Sequence, residues 1–286
     1  MSINFTQLPR TIVEFSGSDQ RTFLQGLISQ DIEKVSELRS IYGALLTPQG
    51  KYLHDFIILQ DQANLIFDCE TGREEDLITR LSRFKLRADV TLDLRPDLTV
   101  FAAFGEGAPE AFGLGPEEGA STRFDQIIAT TDPRTGALGC RLIGTRDSIL
   151  ELLNTHEATE TAFETYDQLR ISLQVPDGSR DLEIEKSILL ESNIDDLNGI
   201  DWDKGCYMGQ ELTARTKYRG LVKRGLRAFQ ADNSAVKPGD PVMAGEKTVG
   251  DIRSASGGLV LASVRIDALQ DDSADIRAAD APLNRL

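Results

Sequence analysis

Two apolar runs, Ile41–Thr47 and Tyr52–Leu59, flank the tetrapeptide Thr-Pro-Gln-Gly, and no other feature constrains the fold of this chain so tightly. Pro48 pre-sets the backbone for the second position of a type I turn and Gly50 suits the fourth, so the runs are expected to pair as an antiparallel hairpin. Further strands are predicted at Thr11–Glu14, Leu65–Cys69, Val90–Leu94, Thr99–Phe104 and Leu138–Ile143. Thr71–Leu86 reads as a helix with Leu77, Leu81 and Phe84 on its apolar stripe. Its acidic residues gather at the start and its basic ones at the end, as the helix dipole favours. Shorter helices are expected after Ser18, taken as an N-cap, and over Asp147–Thr155. Together these define an α+β body with antiparallel hairpins.

The texture changes after Arg224. The turn signals KPGDPV, AGEKTVG and SASGGLVL separate short Val/Leu/Ile runs, which predicts a small β-barrel from about Gly225 to Leu269. The polar residues from Asp271 to Leu286 read as a loosely docked tail.

Several function classes drop out on composition and motif. A formal net charge of −15 opposes a non-specific grip on nucleic acid or an anionic membrane, so neither is expected as a partner. No run reaches the roughly 18 apolar residues of a membrane span, and the first ten residues lack the apolar core of a secretory leader. Cys69, Cys140 and Cys206 are too few for a disulfide framework and indicate a reducing compartment, so a cytoplasmic location is expected. Gly105-x-Gly107 continues to Glu110 where a dinucleotide loop needs a third glycine, and Lys51 is followed by Tyr52 rather than the Ser or Thr of a phosphate loop. His54 and His156 are distant from each other and from any Cys pair, so no stably bound metal is expected.

Two side chains stand out chemically. Asp55 interrupts the apolar face Leu53–Ile57–Leu59 of its strand, which places it either at the mouth of a pocket or in a salt bridge. Cys206 follows Gly205, with Lys204 beside it and a helix expected to start just after it, a setting that favours thiolate; a packed, inert thiol is the alternative. Cys69 and Cys140 lie in predicted strands and should be packed away. Downstream, RTKYRGLVKR places Arg215, Lys217, Arg219, Lys223 and Arg224 within ten residues, either a solvated stretch or a strip facing an anion.

The stretch NGIDWDKGCYMGQELTARTKYRGLVKRGL resembles the K-G-C-[FY]-x-G-Q-E signature of the YgfZ-type iron–sulfur cluster assembly and repair proteins, relatives of the folate-dependent T-protein of the glycine cleavage system. VPDGSRDL and LLESNID look like the mitochondrial and alphaproteobacterial members, and FLQGLISQDI, ALLTPQGKYLHDFIIL and the barrel segments PGDPV, VGDIRSAS and GLVLASVR also match in order, so the resemblance covers nearly the whole chain. The resemblance implies a T-protein-like architecture: two interleaved α+β subdomains around a central hole over residues 1–224, and a C-terminal barrel with its tail over 225–286. It implies that Cys206 is the functional thiol, a transient cluster ligand or redox group, and that Lys204, Tyr207, Gln210, Glu211 and Arg215 belong to the same site. It implies tetrahydrofolate as a ligand, with Asp55 on the wall of the hole at the position that handles N5 and the one-carbon unit, and with Arg170 near the pterin. One departure is Ser172, which stands where relatives carry a pterin-facing glutamate and cannot reproduce its bidentate contact. The function implied is maturation or repair of [4Fe–4S] proteins, with assembly proteins or client apo-enzymes as partners; a tetrahydrofolate-dependent one-carbon transferase and a non-catalytic scaffold are the alternatives.

Overall fold

The computed structural model describes residues 3–231, 236–270 and 275–286. Along the chain run β1 (Asn4–Gln7), β2 (Arg10–Ser16), α1 (Gln20–Gln25), β3 (Ile41–Leu46), β4 (Tyr52–Asp61), β5 (Asn64–Glu70) and α2 (Glu74–Lys85). Next come β6 (Thr91–Leu94), β7 (Thr99–Phe104), α3 (Ala108–Ala111), β8 (Ser121–Phe124), β9 (Ile127–Thr131), β10 (Cys140–Gly144), α4 (Arg146–Thr155), β11 (Thr159–Glu160) and α5 (Phe163–Ser172). The remainder is α6 (Gln210–Tyr218), β12 (Arg224–Ala231), β13 (Pro241–Ala244), β14 (Lys247–Ser256), β15 (Leu259–Arg265), β16 (Ile276–Ala278) and β17 (Ala281–Arg285). No helix among the described residues is long and apolar enough to cross a membrane.

The chain divides into two compact units. The first comprises Met1–Leu46, Leu53–Phe163 and Leu197–Met208, and the second Thr47–Tyr52, Glu164–Asp196 and Gly209–Leu286.

In the first unit a five-stranded sheet (β3-β4-β5-β2-β6) and a six-stranded sheet (β11-β1-β7-β10-β9-β8) each bury one face under helices. Phe15, Phe56, Ile58 and Phe67 pack with Leu24 of α1 and Leu77 and Leu81 of α2. Phe101 and Leu142 pack with Phe112 and with Ile149 and Leu153 of α4. The opposite faces of the two sheets carry charge: Arg141 of β10 reaches Asp68 of β5 at 2.5 Å, with both side chains buried.

Two local expectations need correction. Asp19, not Ser18, precedes α1, and Ser18 donates through its N–H and Oγ to Asp89 instead. Phe84 is 43% exposed, because α2 ends one residue later and only Leu77 and Leu81 of the stripe reach the core.

The second unit contains a closed six-stranded barrel in the order β12-β15-β14-β13-β16-β17. Its last two strands correct the expectation of a loose tail. Residues 271–274 lie outside the described residues, but Ile276, Ala278, Ala281 and Leu283 all point into the barrel core. Period-two placement of these few small apolar residues suffices to close the ring, although the segment is polar overall. In the same unit the turn glycine Gly50 (φ +78°) packs on the start of α6. A Cβ there would lie 2.7 Å from the Gly209 carbonyl oxygen and 2.7 Å from Leu212 Cβ.

Candidate functional site

Cys206 sits in the first unit on a loop stitched to the segment after α1. The Asp201 N–H donates to the Ser29 carbonyl at 3.0 Å. The Asp201 carboxylate accepts from the N–H groups of Asp203 (2.7 Å) and Lys204 (2.9 Å) and pairs with Lys34 at 2.5 Å. Lys204 is 8% exposed; its ammonium donates to the carbonyls of Ile28 and Gln30, both at 2.7 Å, and lies 5.2 Å from the centre of the buried Tyr207 ring. The Met208 N–H closes the stitch on the Gly26 carbonyl at 3.0 Å. Burial pulls the Lys204 ammonium down to about 8, against the opposing pull of Asp31 and Asp201. Between these anchors Gly205 and Cys206 are exposed. The loop therefore presents a thiol to solvent from a fixed base.

This geometry revises how the site was expected to work. Lys204 spends its charge on backbone carbonyls as a structural clamp. Gly205 has no positive φ and its missing Cβ would meet nothing within 4 Å, so it is not there for backbone freedom. The helix begins at Gln210 after Gly209 (φ +85°), leaving Cys206 three residues ahead of the N-cap rather than at the helix end. The cysteines divide as expected: Cys206 is exposed, whereas Cys69 and Cys140 are buried. Burial pushes the Cys69 thiol up to about 12 and raises that of Cys140 as well.

The rest of the signature lies across the division of the chain. Gln210, Glu211 and Arg215 belong to α6 in the second unit, where Glu211 and Arg215 form an exposed i,i+4 ion pair. The basic strip is partly neutralised within that unit. Lys217 pairs with Asp195 at 3.1 Å, and Arg224 lies 3.3 Å from Asp251 and donates to Ser263.

Asp55 is 4% exposed, and its Oδ2 accepts from the Tyr42 hydroxyl at 2.9 Å. Burial first, and the Asp55 charge second, push the Tyr42 phenol well above its ordinary value. The guanidinium carbon of Arg134 is 5.8 Å from the centre of the Tyr42 ring. From there a buried charge chain runs between the sheets: Arg134 to Asp132 (2.8 Å), Asp132 to Arg141 (3.0 Å), Arg141 to Asp68 and Asp68 to Arg10 (2.5 Å each). Against the cost of burial, Arg10 and Arg141 hold Asp68 below the usual carboxylate range. Two carboxylates, Asp132 and Asp68, meet three guanidinia in this chain, with the Asp55 carboxylate at its end behind Tyr42, so opposite charges face each other where water is excluded. Sequence reasoning missed Tyr42, Asp132, Arg134 and Arg141. The signal was present: Arg141 and Asp68 each interrupt an apolar strand, as Asp55 does.

Arg170 belongs to the scaffold rather than to a ligand surface. It is 2% exposed; its Nε donates to Asp167 (2.7 Å), Nη1 to Val175 O (3.2 Å) and to Asp181, and Nη2 to Ser254 Oγ (2.7 Å). The Ser172 hydroxyl turns back to the Leu169 carbonyl at 2.7 Å. His54 is buried against Asp76 (2.8 Å); burial and then Arg73 pull its imidazole down to about 4, so it is neutral at pH 7. Among the described residues no group of three or more His, Cys, Asp or Glu side chains could hold a metal ion.

The fold is that of the glycine cleavage T-protein: the aminomethyltransferase T from Bartonella henselae superposes with a TM-score of 0.78 over 99% of this chain and 85% of that one, at 13% identity. Residues 223–285 match the family model for the CAF17 C-terminal β-barrel domain. The human mitochondrial iron-sulfur cluster assembly factor IBA57 is 32% identical over 274 residues, covering 88% of this chain and 74% of that protein. The mouse counterpart is 28% identical over 91% of this chain and 77% of its own length. The homologue from Coccidioides immitis is 28% identical over 79% of this chain and 56% of its length, so the chain spans little more than half of that fungal relative. The chain belongs to the family of IBA57 iron–sulfur cluster assembly factors.

Proposed function

We propose that this chain acts in the maturation or repair of [4Fe–4S] proteins, with Cys206 as the thiol that meets the cluster. One observation carries the reading: Cys206 alone of the three cysteines is exposed, and it is held out on a loop clamped on both sides. Thiolates ligate iron, and a [4Fe–4S] cluster uses about four of them. Cys69 and Cys140 are buried, so the remaining ligands come from an assembly protein, a client apo-enzyme or glutathione. The cluster is cargo. A single thiolate holds it weakly enough to release it, and the Cys206 proton leaves as iron binds. A reducing compartment, the bacterial cytoplasm or its matrix counterpart, suits a chain with three free thiols.

Tetrahydrofolate fits the residues assigned to it only in part. Asp55 is buried under the Tyr42 hydroxyl, and Arg170 and Ser172 direct their polar atoms into the protein. Calorimetric titration of tetrahydrofolate into wild type and Ser172→Glu tests the ligand: saturable heat in wild type supports it, and none in either protein removes it. The maturation reading is tested in cells lacking the gene. Lost [4Fe–4S] enzyme activity should return with the wild-type chain, and unchanged activity in the deletion would refute the reading.

A further inference from the structure

The C-terminal corner of α2 displays side chains that the fold does not use. Leu86 ends the helix at φ +42°, ψ −98°, a conformation glycine adopts freely and L side chains rarely do. Its side chain is nevertheless 92% exposed, and Phe84, two residues earlier, is 43% exposed. Strained backbone thus holds a leucine in water. Basic residues alternate with the two apolar ones. Among the described residues, none of Arg83, Lys85 and Arg87 forms an ion pair, although the chain carries a net charge of −15; Lys85 is only within electrostatic range of Asp89. The strip from Arg215 to Arg224 differs, since three of its cations already have carboxylate partners.

We propose that residues 83–87 form a docking surface for a protein partner in cluster transfer, an assembly protein or client apo-enzyme with an apolar recess rimmed by Asp and Glu. The proposal rests on the maturation reading above. Leu86 enters the recess, Phe84 covers its edge, and Arg83, Lys85 and Arg87 pair with the rim. An apolar anchor in a pocket surrounded by complementary charge is the usual geometry of a binding hot spot, and the unpaired cations steer the encounter. Charge selects this occupant. An extended anionic bilayer or nucleic acid would also meet the negative body of the chain and be repelled, whereas a rim of carboxylates meets only this corner.

Leu86→Gly separates display from folding, because glycine takes this backbone without strain. Its melting temperature should equal or exceed that of wild type, while restored [4Fe–4S] enzyme activity in cells should fall at least about fivefold. R83E/R87E should behave alike, and both variants should keep the wild-type rate of Cys206 alkylation. A photo-crosslinking residue in place of Leu86 in the full chain should give an adduct with an iron–sulfur assembly or client protein, mapped beside Asp or Glu and lost in the R83E/R87E background. Full restoration by Leu86→Gly, no adduct, or an adduct indifferent to charge reversal overturns the proposal. So does Leu86-dependent sedimentation with vesicles of anionic phospholipid, which would make the surface a lipid contact. The adduct is read without activity, so if the wild-type chain restores nothing, the maturation reading fails and the adduct alone still decides the docking surface.

Discussion

Replacing Lys204 by methionine separates a clamp from a bulk contributor to stability. Methionine keeps the apolar stem but removes both hydrogen bonds to the Ile28 and Gln30 carbonyls. Two charge-assisted bonds of this kind are worth about 3–6 kcal/mol together. Methionine also escapes the desolvation that pulls the ammonium from 10.5 to about 8, a relief of about 3 kcal/mol. The net global cost is therefore small, about 0–3 kcal/mol. The local effect is larger, because the lost ammonium supplied two of the bonds that tie the thiol loop to the segment after α1. Urea unfolding should show only the modest shift, while hydrogen exchange at the amides of Asp203, Lys204 and Met208 should quicken at least about tenfold. Wild-type protection at those three amides would show that Lys204 does not hold the loop. A global loss above about 5 kcal/mol would show that desolvation had been misjudged.

The pH dependence of stability should report on His54. Its folded value of about 4 lies below the unfolded 6.5, so between these the unfolded chain binds the proton and the fold does not. Stability present above pH 6.5 is lost as pH falls to 4, by about 3 kcal/mol, and His54→Gln should remove that share of the slope in urea titrations at pH 7 and 4.5. An identical slope in the variant would assign it elsewhere. Arg170→Met should cost about 3–5 kcal/mol by denaturation, because it strips the cation from buried Asp181; a neutral result would contradict its place in the scaffold. Iodoacetamide at neutral pH should label Cys206 first, with Cys69 and Cys140 modified only on unfolding, as peptide mapping would show.

Elements were legible where local chemistry is strong. The β3–β4 hairpin follows from Pro48 and Gly50, and the body of α2 from Leu77 and Leu81 with charges sorted along the dipole. Elements whose reason is tertiary were not. β16 and β17 hold few apolar residues and exist because the barrel needs closing, and β1 pairs with β7 and β11 from far along the chain. Phe84 has helical spacing, and only the point where α2 ends decides that it faces solvent. At the site, strand alternation marked Asp55, and likeness to a known signature marked Cys206. The role of Lys204 depends on two backbone carbonyls about 175 residues earlier, which no spacing rule reaches. The charge chain between the sheets needed partners from both layers, so each of its members looked like an isolated polar interruption.

The proposed function depends on the exposed thiol of Cys206. The decisive comparison expresses Cys206→Ser beside wild type in cells lacking the gene and measures [4Fe–4S] enzyme activity at matched protein levels. Cys206 is exposed, so the serine chain should accumulate and melt like wild type. It should restore none of the activity. Full restoration by the serine variant would contradict that dependence.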